Sequence, residues 1–367
     1  MVERLAINQE VLAKYVQASN TPLDYLKQKL PKIEAYLTGQ EKPTFNQLST
    51  IAKLINIPTG LLLLNQFIAS PEIEADFRTI DSKTINEMST ELRETIVDMQ
   101  DKQAFLREEI IGELPFIGQF TLEDSDEKVL NTIRHYLGEN IISGRFSTYR
   151  NVLNQLGVFV FINGIVKENT HRNLSLEEFR GFVLSDNKAP IIFINQKDTN
   201  TGRLFTLIHE FVHLFFGQDH LLDLTESPLN PLEVKVNRIT AEILVPKDIF
   251  LSKYNEQLGI DVNLNNLAKY FEVSKQVVVR RMYDLKFISK VKYQETVKQL
   301  KEEFQSTQIP KNKITGNYRN TLKYRVDPNF YQYVSNAVKE QRLSYTEAFR
   351  LIGVGYKGYQ VLGERNK

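Results

Sequence analysis

Apolar residues recur every three or four positions through residues 1–68, without the alternation that predicts β-strands. This spacing places apolar side chains on one face of each of several short helices. Such a layout is typical of a small helix-turn-helix domain, although the stretch LKQKLPKIEAYL leaves almost no room for a normal turn between the second and third helices. The positions that carry the pattern are Val11, Leu12, Tyr15, Val16, Leu23, Leu26, Leu30, Ile33, Tyr36, Leu37, Leu48 and Leu54.

The pattern changes in the middle of the chain. Helical spacing over Ile85–Ile111 predicts one long helix, and we also expect Asp126–Gly138 to be helical. Three later segments are rich in β-branched and aromatic residues and predict strands: VLNQLGVFVFING, FRGFVLS and APIIFIN. The sequence SDNKAP suits a hairpin connection between the last two. We therefore expect a small, largely antiparallel sheet.

Helical spacing returns after the predicted sheet. It predicts helices over Thr201–Phe216 and Glu233–Val245. Two further helical stretches, joined at Glu272–Ser274, form a second helix-turn-helix-like element over residues 264–289.

Together these patterns predict an α+β fold that is predominantly helical. A helix-turn-helix bundle is followed by a core that combines a small antiparallel sheet with helices, and then by a helical C-terminal tail. The expected regions are a helix-turn-helix domain at 1–68, a connector with a long helix at 69–125, the sheet-containing domain at 126–300 and a basic helical region at 301–367.

The composition narrows the chemistry. The 367 residues include no cysteine, so thiolate metal sites and catalytic thiols are excluded, and any metal must bind His, Asp or Glu. No apolar run has the length of a signal-peptide core or of a membrane-spanning helix, so we expect a cytoplasmic protein without a membrane partner.

The net charge of +1 hides an uneven distribution. Residues 71–274 carry 20 basic and 32 acidic side chains, whereas residues 275–367 carry 19 basic and 8 acidic ones. A basic region of this kind can bind DNA or an acidic partner, and Arg280 and Arg281 would belong to it. The alternative is a set of helices with solvated basic faces.

The segment TGRLFTLIHEFVHLFFG contains the arrangement HExxH at His209, Glu210 and His213. A spacing of four residues places both imidazoles on one face of a helix, where they can bind one Zn²⁺. Glu210 would then act as the catalytic base toward a zinc-bound water that attacks a peptide carbonyl. The alternative is a chance match on a buried helix, but burying two His and one Glu without a purpose would be costly.

A catalytic zinc site needs a third protein ligand. Glu233 is the preferred residue because it begins a second helix on the same face as Asn237, which is placed to orient a ligand histidine. Asp219 and His220 are alternatives, although the glycine of the pattern HExxHxxGxxH is absent here. Glu242 faces another direction, and we expect it at the surface.

These segments resemble the ImmA/IrrE family of zinc metallopeptidases fused to an N-terminal lambda-repressor-like (XRE-type) helix-turn-helix domain. The resemblance covers nearly the whole chain and rests on HExxH followed by ExxxN, on FRGFVLSDNKAPIIFIN, on PTFNQLSTIAKLINIPTGLLLL and on DFRT. It implies a zincin-like core with His209, His213 and Glu233 as zinc ligands and Glu210 as the base. It also implies that the substrate is a transcriptional repressor.

Two functions therefore compete. The first is a zinc-dependent endopeptidase, with one Zn²⁺ per chain, that hydrolyses a peptide bond in a specific cytoplasmic protein. The second is a DNA-binding transcriptional regulator or antitoxin-like protein in which the zinc fold is a sensor or structural module. An inactive interaction module is a third, simpler interpretation.

Three polar residues near the motif could stabilise an oxyanion: Arg203, Tyr254 and His220.

Overall fold

The structure is a computed structural model that describes most of the chain. The chain forms two compact units, and the second begins near residue 91, at the start of a long helix. None of the described helices combines the length and the apolarity needed to cross a membrane. The described residues are 4–19, 23–55, 57, 59–67, 88–138, 145–217, 220–222, 230–306 and 317–364.

The first unit is a bundle of short helices with its own apolar core. Its elements are α1 (Gln9–Ala18), α2 (Leu23–Lys29), α3 (Ile33–Leu37), α4 (Phe45–Leu54) and a 3₁₀ helix (Thr59–Leu63). α1 begins after Asn8, whose side chain accepts hydrogen bonds from the backbone N–H groups of Glu10 and Val11. Leu26, Ile33 and other apolar residues of the predicted pattern are fully buried, so the helical spacing does form a core.

The second unit combines helices with two small sheets, which agrees with the predicted α+β class. Its helices are α5 (Thr90–Glu109), α6 (Asp126–Leu137), α7 (Phe146–Gln155), α8 (Asn200–Leu214), α9 (Pro231–Leu244), α10 (Lys247–Lys253), α11 (Ile260–Phe271), α12 (Lys275–Asp284), α13 (Lys290–Ser306), α14 (Tyr318–Arg325), α15 (Pro328–Lys339), α16 (Tyr345–Ile352) and α17 (Tyr356–Gly363). Its strands are β1 (Phe159–Asn163), β2 (Ile165–Val166), β3 (Asn169–Asn173), β4 (Gly181–Leu184), β5 (Ile191–Asn195) and β6 (His220–Leu222).

The main sheet has the strand order β1-β5-β4-β6, and β2 and β3 form a separate hairpin. β4 is antiparallel to both of its neighbours, but β1 is parallel to β5, with Phe159 opposite Ile191. The sheet is therefore mixed, and the prediction of an antiparallel sheet is wrong for this pair. Apolar patterns identify strands but not their order, and the long connection between β1 and β4 lets β1 reach the far side of β5.

Residues 152–155 give a second correction, because they end helix α7 instead of beginning a strand. Gly157 follows with φ of +88°, a conformation that glycine adopts readily just beyond a helix end. The strand in the segment VLNQLGVFVFING starts only at Phe159. The glycine was the sequence signal that separates the two elements.

The central strands are buried on both faces. Val160 and Ile162 belong to the core that also contains the apolar residues of α8 and α9. On the other face, Phe161 packs against Phe330 of α15 with ring centroids 5.3 Å apart. Because helices cover both faces, these strands read as unbroken apolar runs instead of an alternating pattern.

Two charged side chains cover the exposed backbone of edge strand β1. The Val160 N–H donates to Asp327 Oδ2 at 2.8 Å, and Arg150 Nη2 donates to the Val160 carbonyl at 2.7 Å. Asp327 is fully buried and also accepts hydrogen bonds from the first backbone N–H groups of α15. An edge strand would otherwise leave these groups without partners, so the C-terminal helices complete the sheet.

The segment predicted as a second helix-turn-helix-like element forms helices α11 and α12, which are joined by residues 272–274. Arg280 is exposed and pairs with Asp284, but Arg281 is buried, donates to the Val245 carbonyl and forms an ion pair with Glu242. The expectations that Arg281 contributes to a basic surface and that Glu242 lies at the surface are therefore wrong. The carboxylate of Glu242 and the guanidinium of Arg281 neutralise each other, so both side chains can be largely buried.

Candidate metal centre

Helix α8 holds the HExxH segment inside the molecule. It begins after Thr199, whose side chain accepts a hydrogen bond from the backbone N–H of Gly202. His209, Glu210 and His213 are at most 1% exposed. Apolar residues on the other faces of α8 belong to the main core, so packing fixes the rotation of the helix and the direction of these three side chains.

Helix α8 approaches strand β4 closely at Gly181. A Cβ atom at this position would lie 2.5 Å from Thr206 Cγ2, 2.8 Å from the Phe193 carbonyl and 3.9 Å from Glu210 Cγ. Only glycine leaves room for α8 at this distance. Gly181 was not among the residues predicted to shape the site, although a glycine inside the apolar segment FRGFVLS is the ordinary signal of such an approach.

Helix α9 brings the third side chain to the site. It begins after Asn230, whose side chain accepts a hydrogen bond from the Leu232 N–H, and Pro231 occupies its first position. Glu233 lies in the first turn of α9 and is mostly buried. Thr240, on the same helix, is fully buried, in keeping with the small residues that allow two helices to pack closely.

The two imidazoles and the Glu233 carboxylate converge on one point. His209 Nε2 and His213 Nε2 are 3.0 Å apart, Glu233 Oε2 is 3.3 Å from His209 Nε2, and Glu233 Oε1 is 3.1 Å from His213 Nε2. We call these three residues the metal cluster, since they form a group able to hold a metal ion. Bonds of about 2.0 Å in tetrahedral geometry separate neighbouring ligand atoms by roughly 3.3 Å.

The distances and the donor types therefore fit one tetrahedral divalent cation. Two nitrogen donors and one carboxylate oxygen leave one coordination position open, which distinguishes catalytic from structural sites. The ring of Phe205 lies 5.8 Å from the His209 ring and contributes an apolar wall. Such an arrangement could hold a cation and still admit a substrate oxygen.

The structure places the other sequence candidates as follows. Asn237 is half-buried on α9, one turn beyond Glu233, and its role stays a prediction. Asp219 lies outside the described residues, and only the backbone of His220, in β6, is described. Of the residues considered for oxyanion stabilisation, Arg203 lies over the Tyr324 ring, while Tyr254 packs against aromatic rings of the core.

Comparison with known protein families agrees with this geometry. Residues 153–283 match the Peptidase_M78 family, described as the IrrE N-terminal-like domain. That range contains the metal cluster and Glu210. The match supports the ImmA/IrrE resemblance for this part of the chain and, with the metal cluster, supports a metal-dependent peptidase.

A second match covers the helices that complete the sheet. Residues 326–365 match a domain of unknown function, DUF8813. No curated protein and no solved structure matches the chain. The functional information therefore comes from residues 153–283 and from the geometry of the metal cluster.

Proposed function

We propose that the protein is a zinc-dependent endopeptidase. The observation that carries this proposal is the convergence of two imidazole nitrogens and one carboxylate within 3.3 Å of one another, inside a region that matches a peptidase family. His209, His213 and Glu233 would hold the ion. When bound there, Zn²⁺ supplies a Lewis acid that polarises a carbonyl oxygen and lowers the pKa of water.

Glu210 is the proposed general base. It follows His209 directly in the HExxH arrangement, which projects the glutamate toward the open position of the site. Its carboxylate would take a proton from the attacking water and return it to the leaving nitrogen of the cleaved bond. Its full burial beside Gly181 fixes the side chain, which favours proton transfer along one path.

The variant Glu210→Gln tests this role. It keeps the size of the side chain but removes the base, so we expect peptide cleavage to fall by about 10²- to 10⁴-fold while zinc stays bound. Zinc per chain is measured by elemental analysis, and cleavage by mass spectrometry of proteins incubated with the enzyme. The exposed Glu177→Gln serves as a matched control and should behave as the wild type. Undiminished cleavage by Glu210→Gln would assign the base elsewhere.

The proposed substrate is a specific cytoplasmic protein, and the family resemblance favours a transcriptional repressor. Cleavage would then switch on the genes that the repressor controls. In cells that express the wild type or Glu210→Gln, the substrate should be lost only with the wild type, which whole-cell proteomics can detect. A set of protein levels that is identical in both strains would contradict a peptidase active under those conditions.

Binding to DNA through the N-terminal unit is a second proposed function. The observation that favours it is the connection between α2 and α3, residues 30–32. The sequence predicts almost no room for a turn there, but three residues have the length of a helix-turn-helix turn. A gel-shift titration of the full chain at two salt concentrations tests this, because phosphate contacts make binding strongly salt-dependent. Absence of binding to the DNA around its own gene at low salt would count against DNA recognition.

A further inference from the structure

A cavity separate from the metal cluster lies where several elements of the second unit meet. Its walls come from α5, β1, β5, the β2–β3 hairpin, α14 and the end of α16 with the turn that follows it. It offers about 50 Å³ to water-sized molecules, enough for a few water molecules or one small polar group.

One wall of the cavity carries a buried lysine. Lys102 is 2% exposed, and its ammonium lies 2.6 Å from Asp98 Oδ2. The ammonium of Lys167 approaches the other oxygen of the same carboxylate, Asp98 Oδ1, at 3.7 Å. Asp98 is therefore shared between two cations, and its single charge does not neutralise both of them.

A third cation, Arg325, adds to this excess. Its Nε donates to Gln196 Oε1 at 3.3 Å, and the Glu168 carboxylate attracts its guanidinium from beyond ion-pair distance. Glu168, the other carboxylate of the cavity, accepts a hydrogen bond from the Tyr318 hydroxyl at 2.8 Å. Burial lowers the pKa of both Lys102 and Arg325, which shows that the cavity holds these cations in a poorly solvated place.

The local backbone also holds this arrangement in place. Lys167 has φ of +51°, a conformation that glycine or asparagine adopts more readily. Its carbonyl accepts a hydrogen bond from Asn163 Nδ2 at 2.8 Å, which secures the turn of the hairpin. The turn thus keeps a lysine beside Asp98 in a backbone conformation that is unfavourable for lysine.

We propose that this cavity binds a small oxyanion, either a carboxylate or a phosphate group, with Arg325 as the main contact and Lys102 and Lys167 as supporting charges. Three cations face two carboxylates here, so one bound anion would balance the charge of the cavity. Apolar residues of its wall, including Met99, Leu322 and Val354, would contact any apolar part of the same ligand. The site is independent of the metal cluster.

The test uses the full chain freed of metal by a chelator, so that an oxyanion cannot bind to zinc. The melting temperature is measured at pH 7 in sodium phosphate, sodium acetate and sodium chloride of equal ionic strength. We expect phosphate or acetate to raise it by about 2–4 °C over chloride. A rise with phosphate alone indicates a phosphate-bearing ligand, and a rise with acetate alone indicates a carboxylate.

Variants of α14 show whether the cavity is responsible. Arg325→Gln should lose the shift in melting temperature. Arg319→Gln should keep it, because Arg319 lies on the same helix as Arg325, α14, but is exposed and pairs with Glu364. Each variant is compared with its own value in chloride, so a change in basal stability does not affect the result. No shift in the wild type, or an equal shift in Arg325→Gln, would overturn the proposal. Zinc content of Arg325→Gln tests the metal cluster separately and should equal that of the wild type.

Discussion

Helix α9 carries two glutamates near its opposite ends, and their surroundings differ in kind. Glu233 contacts the imidazoles of His209 and His213. Glu242 instead pairs with the guanidinium groups of Arg281 and Arg134. Both carboxylates are mostly buried on the same helix, so the comparison isolates the effect of their partners.

The partners of each carboxylate show whether it has a structural role or can act as a metal ligand. At Glu242 the chain itself supplies the positive charge, and the ion pair joins α9 to α12. At Glu233 the neighbouring atoms are nitrogens that can donate electron pairs, and a cluster of such donors is stabilised by a cation from solution. A buried carboxylate paired with a guanidinium is therefore neutralised within the fold, whereas a buried group of electron-pair donors marks the place for an external ion.

The largest effect on the metal is expected for Glu233→Ala. Zinc content should fall from about one ion per chain to nearly none, and peptidase activity should be lost, because the site needs three protein ligands. The free energy of unfolding in the presence of a chelator should change by less than about 1 kcal/mol, because the contacts of Glu233 with His209 and His213 serve the bound ion. Elemental analysis and urea unfolding measure the two effects, and full zinc content in this variant would exclude Glu233 as a ligand.

The opposite result is expected for Glu242→Ala. Arg281 would be left buried without its carboxylate, so the free energy of unfolding should fall by about 3 kcal/mol, while the folded protein still binds one zinc. Glu364→Ala is the control, because it breaks the ion pair of the exposed Arg319 and should cost less than about 1 kcal/mol. Equal stability losses in the two variants would show that burial of Arg281 does not matter.

A smaller effect is expected for Gly181→Ala. The added Cβ would meet Thr206 and the Phe193 carbonyl, so α8 must shift and stability should fall by about 2 kcal/mol. The shift displaces both histidines, and zinc affinity should fall with it. Gly112→Ala is the control, because nothing lies within 4 Å of a Cβ there. Unfolding and zinc titration on both variants would reveal whether α8 tolerates the extra atom.

The smallest effect is expected for Asn237→Ala. If Asn237 orients a ligand histidine, its loss should weaken zinc binding about tenfold and leave the stability of the metal-free protein nearly unchanged. Competition with a chromophoric chelator measures the dissociation constant. An unchanged dissociation constant would show that Asn237 acts only in helix packing. Asn237 would then have a purely structural role on α9, as Glu242 does.

The metal cluster could be predicted because most of its geometry is local. His209 and His213 share one helix face through their spacing alone, and Glu233 was favoured because its helix also carries Asn237 and small residues on one face. The structure brings His209, His213 and Glu233 together. The catalytic role of Glu210 and the orienting role of Asn237 stay predictions.

Features that depend on distant partners were not predictable. Arg150 and Asp327 meet at Val160 although they are far apart in the sequence, and no local pattern announces this contact. Arg281 shows a milder case. It lies three residues after the buried Val278 and therefore on the apolar face of α12, whereas the adjacent Arg280 points outward. The helix face therefore separates the two arginines, but it does not identify Glu242 as the partner of Arg281.

The covering of β1 by Asp327 has a consequence for how the protein is made. The Val160 N–H bonds to a residue 167 positions further along the chain. A ribosome takes roughly 10–30 s to add that many residues. During that interval the strand edge is open to pairing with other chains. We expect nascent chains to need chaperone protection until the last helices emerge, and messages that end before codon 327 to yield aggregates instead of a shorter enzyme.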